Sequence, residues 1–360
     1  MLNSGRSGKQ RSQQRAFFSE NYMEIADFQK PGLEDSSMDI LLTGSVAFDY
    51  IMHFPGYFKD HILLDRLDSI SLSFLVESMV RLRGGIAPNI AYTLALLGGR
   101  PRLWAAVGED FEEYRMWLED KGVDTSGARV IPDVFTASFF VSTDNANAQI
   151  ASFYPGAMAY APTLTLHDLE EPFPDLVFIS PNDPNAMNLY VNECCELGLS
   201  YFYDPSQQIV RLSADDLRKG IQGAEALFVN DYEFALIKKM TGWNEKEIIN
   251  CNPGIFIVVT NGEKGAVIHQ HDDRIEIPVV EPNSIKDPTG VGDAFRGGFL
   301  TGYCHGVDLN TCGRMGALAA TYCLEERGPQ GHNYSISEFV ARYRSLFFDD
   351  GSLDRLLPRR

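Results

Sequence analysis

The run DPTGVGDAF at residues 287–295 sets two glycines around a valine, follows them with an acid, and then enters a helical pattern. Gly290 and Gly292 permit backbone conformations that a side chain would penalise. Beyond them Ala294, Phe295, Phe299 and Leu300 recur at helix-compatible spacing. Amides from Gly290 through Val291 and Gly292 to Asp293 then converge at a helix N-terminus, where unpaired N–H groups and the helix dipole bind an anion. Asp293 stands beside that cradle, placed for general-base work on a hydroxyl that is worth about 10²–10⁴ in rate. An acid in a first helical turn is also common capping chemistry. A carboxylate beside an anion cradle carries an electrostatic cost, however, and that favours a function.

Three other stretches carry polar residues at strand ends. RGGIAPN at 83–89 places Gly84 and Gly85, which let backbone approach a ligand closely, ahead of Asn89 on a helix. NDYE at 230–233 reads alone as a helix cap, with Asn230 capping and Glu233 completing a capping box. TNGEKG at 260–265 reads alone as a turn between two apolar runs.

The elements that must position these residues are short buried strands alternating with helices. MDILL at 38–42 opens a folded domain, and RLWAAVG, DLVFIS, SYFYD, ALFVN and IFIVVT repeat its form. Helical stretches at 185–197, 213–222 and 231–241 lie between several of them. The alternation predicts an α/β fold with a largely parallel sheet covered on both faces. Ligands of such sheets bind outside the carboxyl ends of the strands, where Asp49, Asp204, Asn230 and Thr260 fall. FTASFFVSTD and AQIASFYPGA flank NAN in the manner of a hairpin. Residues 134–157, with about 48–75, are expected to form a small β lid over the site.

The combination of motifs, in this order, resembles the PfkB or ribokinase-like sugar and nucleoside kinases, over about residues 39–345. The resemblance implies a three-layer sandwich with a mostly parallel central sheet and a β lid. It implies Asp293 as catalytic base and the amides of Gly290, Val291 and Gly292 as an anion hole. GGxxxN maps Gly84, Gly85 and Asn89 onto substrate hydroxyls, and GSVAFD at 44–49 adds Ser45 and Asp49. It assigns Asn230 and Glu233 to magnesium, through water, and Asn230, Thr260, Gly262, Gly265, Asp287 and Thr289 to ATP. Within the family the chain looks most like bacterial adenosine kinases of mycobacterial type, through stretches such as FPGYF, QIASFYPGAM and DPSQQ. That likeness places Phe139 on the purine and Gln207 and Gln208 near base or ribose. Phe139 and Phe140 point to opposite faces if 136–143 is a strand. The implied reaction is ATP-dependent phosphorylation of a nucleoside 5′-hydroxyl, adenosine to AMP first. A ribose or other furanose acceptor, or a catalytically silent binding protein, are the alternatives. The family also leaves room for a monovalent cation near 325–333 and for a homodimer.

Composition limits the partners. The chain of 360 residues is 44% hydrophobic and carries a formal charge of −18, which disfavours nucleic acid and anionic membrane surfaces. A nucleotide site in so acidic a chain must draw on amides, a metal ion or selected cations. Six cysteines without CxxC spacing fit buried thiols in a reducing cytoplasm. Residues 1–37 are polar, mildly basic and aperiodic, and read as a flexible extension; 38–350 read as the kinase domain and 351–360 as a tail.

Overall fold

A computed structural model describes residues 38–62 and 71–357. The extension at 1–37 lies outside the described residues. So does the 63–70 part of the expected lid.

Nine strands form the main sheet. Their order is Asp273–Ile277, Ala266–Gln270, Phe256–Thr260, Ala226–Asn230, Tyr201–Tyr203, Leu176–Ile179, Ile40–Thr43, Arg102–Val107 and Ala128–Val130. Every neighbouring pair from Phe256–Thr260 to Ala128–Val130 is parallel, and the last two strands at the other edge are antiparallel. The buried runs in the sequence are the central strands, whose alternate residues feed two separate cores. Leu42, Phe178, Phe228 and Val258 join one core with Phe295 and Phe299. Leu41, Val177, Leu227 and Ile257 join the other with Tyr190 and Leu217. Two-sided burial of this kind makes the expected three-layer α/β/α sandwich.

The helices follow local signals. Pro184–Leu197 starts at an Asp183 cap, and Ala214–Gln222 starts at a Ser213–Asp216 capping box. Each device satisfies amides that a helix start leaves unpaired. The final turn, Ser352–Leu356, buries Leu353 and Leu356 against the first core, so packing continues past residue 350.

A second sheet has the order Ser78–Gly84, Ala47–His53, Ala137–Thr143 and Gln149–Tyr154. The NAN hairpin is present. Asp144 holds its turn, its carboxylate accepting from the amides of Ala146, Ala148 and Phe58 at 2.8, 2.9 and 2.9 Å. The edge strand on the other side lies at 78–84, beyond the 48–75 range expected from sequence. Exposed Met79 and Val80 beside charged Arg81 and Arg83 give no buried-strand signal. This strand runs straight into Gly85, so the second sheet and the GG motif are continuous along the chain.

Candidate active site

The glycine turn begins the Val291–Cys304 helix. Gly290 sits at φ 79°, in the left-handed region, and a Cβ there would lie 2.3 Å from Pro329 Cβ. Only glycine meets both demands. Its carbonyl accepts the Ala294 N–H at 2.8 Å, and the Val291 N–H, expected in the anion hole, turns to the Pro288 carbonyl at 3.5 Å. This leaves the first-turn amides of Gly292 and Asp293 without a backbone partner and open to an anion. Asp287 fastens this turn to the loop before residue 330, accepting from the Thr289 amide at 2.9 Å and the Gly328 amide at 3.0 Å. Burial alone would raise the Asp287 carboxyl, but these hydrogen bonds hold it below its ordinary value.

One helical turn on, Arg296 reaches back beneath the cradle. Its Nη1 donates to the Gly292 carbonyl at 3.0 Å, and its Nε and Nη2 form a fork on the buried Asp204 carboxylate, Nη2 at 3.1 Å. Ser206 adds a hydroxyl donor to Asp204 at 2.6 Å. Bidentate Arg–carboxylate geometry of this kind fixes orientation. Asp204, at the end of strand Tyr201–Tyr203, therefore anchors the first helical turn.

The N-terminal motifs arrive from the other side. Gly85 has φ 92°, and a Cβ there would stand 2.5 Å from the Ser45 carbonyl and 2.6 Å from the Ala47 amide. Ser45 Oγ accepts the Ile86 N–H at 3.3 Å and starts the Ile86–Leu96 helix. A Cβ on Gly84 would stand 2.5 Å from Asp49 Oδ2, so that glycine makes room for the carboxylate. Asn89 Nδ2 then donates to Asp293 Oδ2 at 2.8 Å, joining segments 204 residues apart. Burial pushes Asp293 up to about 7; Arg296 and the Asn89 hydrogen bond oppose the rise, and Asp204 and Asp49 add to it. Burial, aided by Asp287, pushes Asp49 up to about 6.

In the second sheet, Asp49 pairs with Phe139 and Phe139 with Phe153. Residues opposite one another across a sheet share a face, so Phe139 projects on the side of Asp49. Phe140 projects on the other side and stacks on Tyr50 at 4.7 Å.

The remaining sequence-predicted residues are engaged more locally. Asn230 and Glu233 form a full capping box, each accepting the other's backbone amide at 2.8 Å. The local reading of NDYE is therefore realised. Glu233 keeps one carboxylate oxygen outside that box, and burial and Asp204 raise its carboxyl. Thr260 donates to the Val229 carbonyl at 3.5 Å. Gly262 and Gly265 belong to the turn between two antiparallel strands, and a Cβ on Gly262 would meet only open space. Gln207 is exposed, and the buried Gln208 accepts from Arg211 at 3.2 Å. Among the described residues no group of three or more His, Cys, Asp or Glu could hold a metal ion. The carboxylate oxygen that Glu233 keeps outside its capping box is a hard acceptor of the kind to which a magnesium ion's waters donate.

Sequence reading missed Arg296. An arginine one turn beyond a GxGD acid, in a helix whose neighbours are apolar, is a signal that could have found it.

A family model described as "pfkB family carbohydrate kinase" matches residues 47–335. The nucleoside kinase of Methanothermobacter thermautotrophicus is 34% identical over 85% of this chain and 95% of that protein. The Burkholderia thailandensis nucleoside kinase, solved in complex with inosine, is 36% identical with a TM-score of 0.75, covering 86% of this chain and 98% of that one. The archaeal nucleoside kinase of Methanocaldococcus jannaschii superposes with a TM-score of 0.76 at 27% identity, over 86% of this chain and 100% of that one. These relatives are archaeal and Burkholderia nucleoside kinases, not specifically adenosine kinases of mycobacterial type, so the narrower resemblance gives way to the broader one. The ribokinase-like sandwich and these matches agree: the chain belongs to the pfkB family, phosphotransferases that act on an alcohol acceptor.

Proposed function

We propose that the protein transfers the γ-phosphoryl group of ATP to the 5′-hydroxyl of a purine nucleoside, with adenosine the first acceptor to test. The observation that carries this reading is the 2.8 Å hydrogen bond from Asn89 to Asp293, beneath a lid face that presents Asp49 and Phe139 together. Ribose hydroxyls have natural partners in the Asp49 carboxylate and the Asn89 amide. The Phe139 ring offers a flat apolar surface to a base, a contact worth roughly 1–3 kcal/mol in nucleic-acid systems. The inosine complex of the Burkholderia relative, and its further structure described with ADP-inosine, support a purine nucleoside and an adenine nucleotide.

The chemistry assigned to the chain is positional and electrostatic. Asp293 Oδ1, the oxygen not bonded to Asn89, accepts the proton of the attacking hydroxyl. The amides of Gly292 and Asp293 receive the charge that develops on the transferred group, each such donor being worth about 10²–10³ in rate. Arg296 keeps those amides aimed by holding the Gly292 carbonyl. Magnesium, bound with the nucleotide, supplies charge neutralisation at the phosphates. A carboxyl poised near neutrality suits a base that must be free at working pH and still hold a proton briefly.

A coupled assay of ADP release with adenosine, inosine, cytidine, ribose and no acceptor tests the reading. Turnover should be strongest with a purine nucleoside. Turnover on ribose alone would shift the function to a sugar kinase, and silence with every acceptor would leave a binding protein.

A further inference from the structure

The loop 327–331 contributes a side chain to the site that the phosphotransfer reading leaves unused. Gln330 Nε2 donates to Asn89 Oδ1 at 3.0 Å and also to the Tyr114 hydroxyl, and Gln330 Oε1 accepts the Trp117 indole N–H at 3.1 Å. The Tyr114 hydroxyl in turn donates to the Gly84 carbonyl at 3.0 Å. We propose that Gln330 is a positioning residue that sets the polarity of the Asn89–Asp293 contact, with Trp117 and Tyr114 fixing Gln330 itself. The proposal rests on the reading of Asp293 as the base.

The direction of every hydrogen bond in this chain follows from its two ends. An indole N–H can only donate, so the Gln330 amide must turn its oxygen to Trp117 and its NH2 group away. A backbone carbonyl can only accept, so the Tyr114 hydroxyl gives its proton to Gly84 and must accept from Gln330. Two independent anchors thus demand the same orientation of one amide. Gln330 then presents N–H to Asn89, which must answer with its oxygen, and the Asn89 NH2 group is left facing Asp293. The carboxylate receives a donor, and its other oxygen stays open to an incoming hydroxyl.

Reversal of the chain would have a chemical consequence. An Asn89 amide turned over would offer its oxygen to Asp293 Oδ2, and only a protonated carboxyl could meet it. Hydrogen bonding to the neutral form favours that form. Asp293 already faces the positive Arg296 of its own helix, the negative Asp204 and Asp49 from two other elements, and the Cys323 thiol behind the turn. Among these groups the Asn89 donor is a neutral contribution whose sign depends on which way its amide is turned. The same chain ties the C-terminal loop to Gly84 at the edge of the lid sheet, so the base and the lid strand share one support.

The test compares the pH dependence of kcat/KM in full-length Gln330→Glu, Gln330→Met and the double variant Tyr114→Phe with Trp117→Phe, alongside its two single parents. In Gln330→Glu the ionised carboxylate keeps the shape of the amide but can only accept, which requires Asn89 to turn over. The acid limb of this variant should move up by about one pH unit or more, with kcat at pH 7 down about tenfold and recovery at pH 9. Gln330→Met should lose kcat with a smaller displacement, because it releases Asn89 without reversing it. Removal of either anchor alone should change kcat less than about twofold, since the other still sets the polarity. The double variant should lose more than the product of the two, the mark of coupled residues. A folded Gln330→Glu protein, judged by its melting curve and ADP binding, with a wild-type acid limb and kcat would overturn the proposal. If that variant does not fold, the double variant decides: strict additivity and an unmoved acid limb overturn it. Asp293→Asn separates the two readings. Persistent turnover in that variant defeats the base assignment itself, whereas an inactive Asp293→Asn beside a normal Gln330→Glu defeats only the polarity relay.

Discussion

Two interleaved arcs of contacts at the carboxyl ends of the strands, with Asp287 of one close enough to raise Asp49 of the other, use the same residue types in opposite ways. On one arc Asp287 spends both carboxylate oxygens on backbone amides, and Asn230 and Glu233 close a capping box around each other. On the other arc Asp293 accepts from one Asn89 amide, and Asp49 stands against Gly84, which has no Cβ to displace its carboxylate. Asp287 is held below its ordinary value, while burial lifts Asp49 to about 6 and Asp293 to about 7. The lesson is that donors, not the motif, set a carboxyl: two amides hold Asp287 down, while a single donor leaves burial to raise Asp293 and, equally, Glu233. Substitutions should therefore divide by arc, with chemistry lost on one and stability on the other.

The largest effect is expected at Asp293. Asp293→Asn should lower kcat by at least the 10²–10⁴ of a general base, roughly, while calorimetry shows nucleoside affinity largely kept. The same change should raise stability at alkaline pH. Asp293 has a folded value of about 7 against 3.8 ordinarily. The folded state therefore binds more protons between these values, and stability falls as pH rises through that window. The variant escapes the loss and should melt about 2–6 °C higher at pH 8 than the wild type. A lower melting point, or lost nucleoside binding with chemistry intact, would erase the distinction between the arcs.

Phe139→Ala comes next. Loss of a stacking surface worth roughly 1–3 kcal/mol should raise the nucleoside KM by about tenfold or more and leave the ATP KM nearly unchanged. Equal effects on both substrates would remove Phe139 from the acceptor side. Phe140→Ala, on the opposite face against Tyr50, serves as the comparison and should alter neither constant as much. The smallest change in rate is expected at the supporting arc. Asn230→Ala removes a cap and should cost about 1 kcal/mol of stability, seen in denaturant melts. A thousandfold loss of kcat there would move Asn230 to the chemical arc.

Much of this division could be read in the chain, for identifiable reasons. Buried strands such as Phe256–Thr260 announce themselves because both their faces are apolar, and the helix after GVGD announces itself by the spacing of Ala294, Phe295, Phe299 and Leu300. The lid strand Ser78–Gly84 was hidden because one of its faces carries arginines and the other is partly open, so no single period dominates. Arg296 and Asp204 lie 92 residues apart, and Gln330 lies 241 residues from Asn89. Contacts of that range depend on strand order, which a linear pattern does not encode. The turn at Ser352–Leu356 is too brief to show periodicity, though Leu353 is fully buried.

The most direct test of a base at residue 293 is the pH dependence of wild-type kcat/KM for the preferred nucleoside, because this ratio reports ionisations of the free enzyme. The rate should climb tenfold per pH unit through mildly acidic solution and level off as a single group near pH 7 loses its proton. A profile flat from pH 5 to pH 9, on the order of the range that separates ordinary carboxylates from thiols, would show that no such group takes the proton.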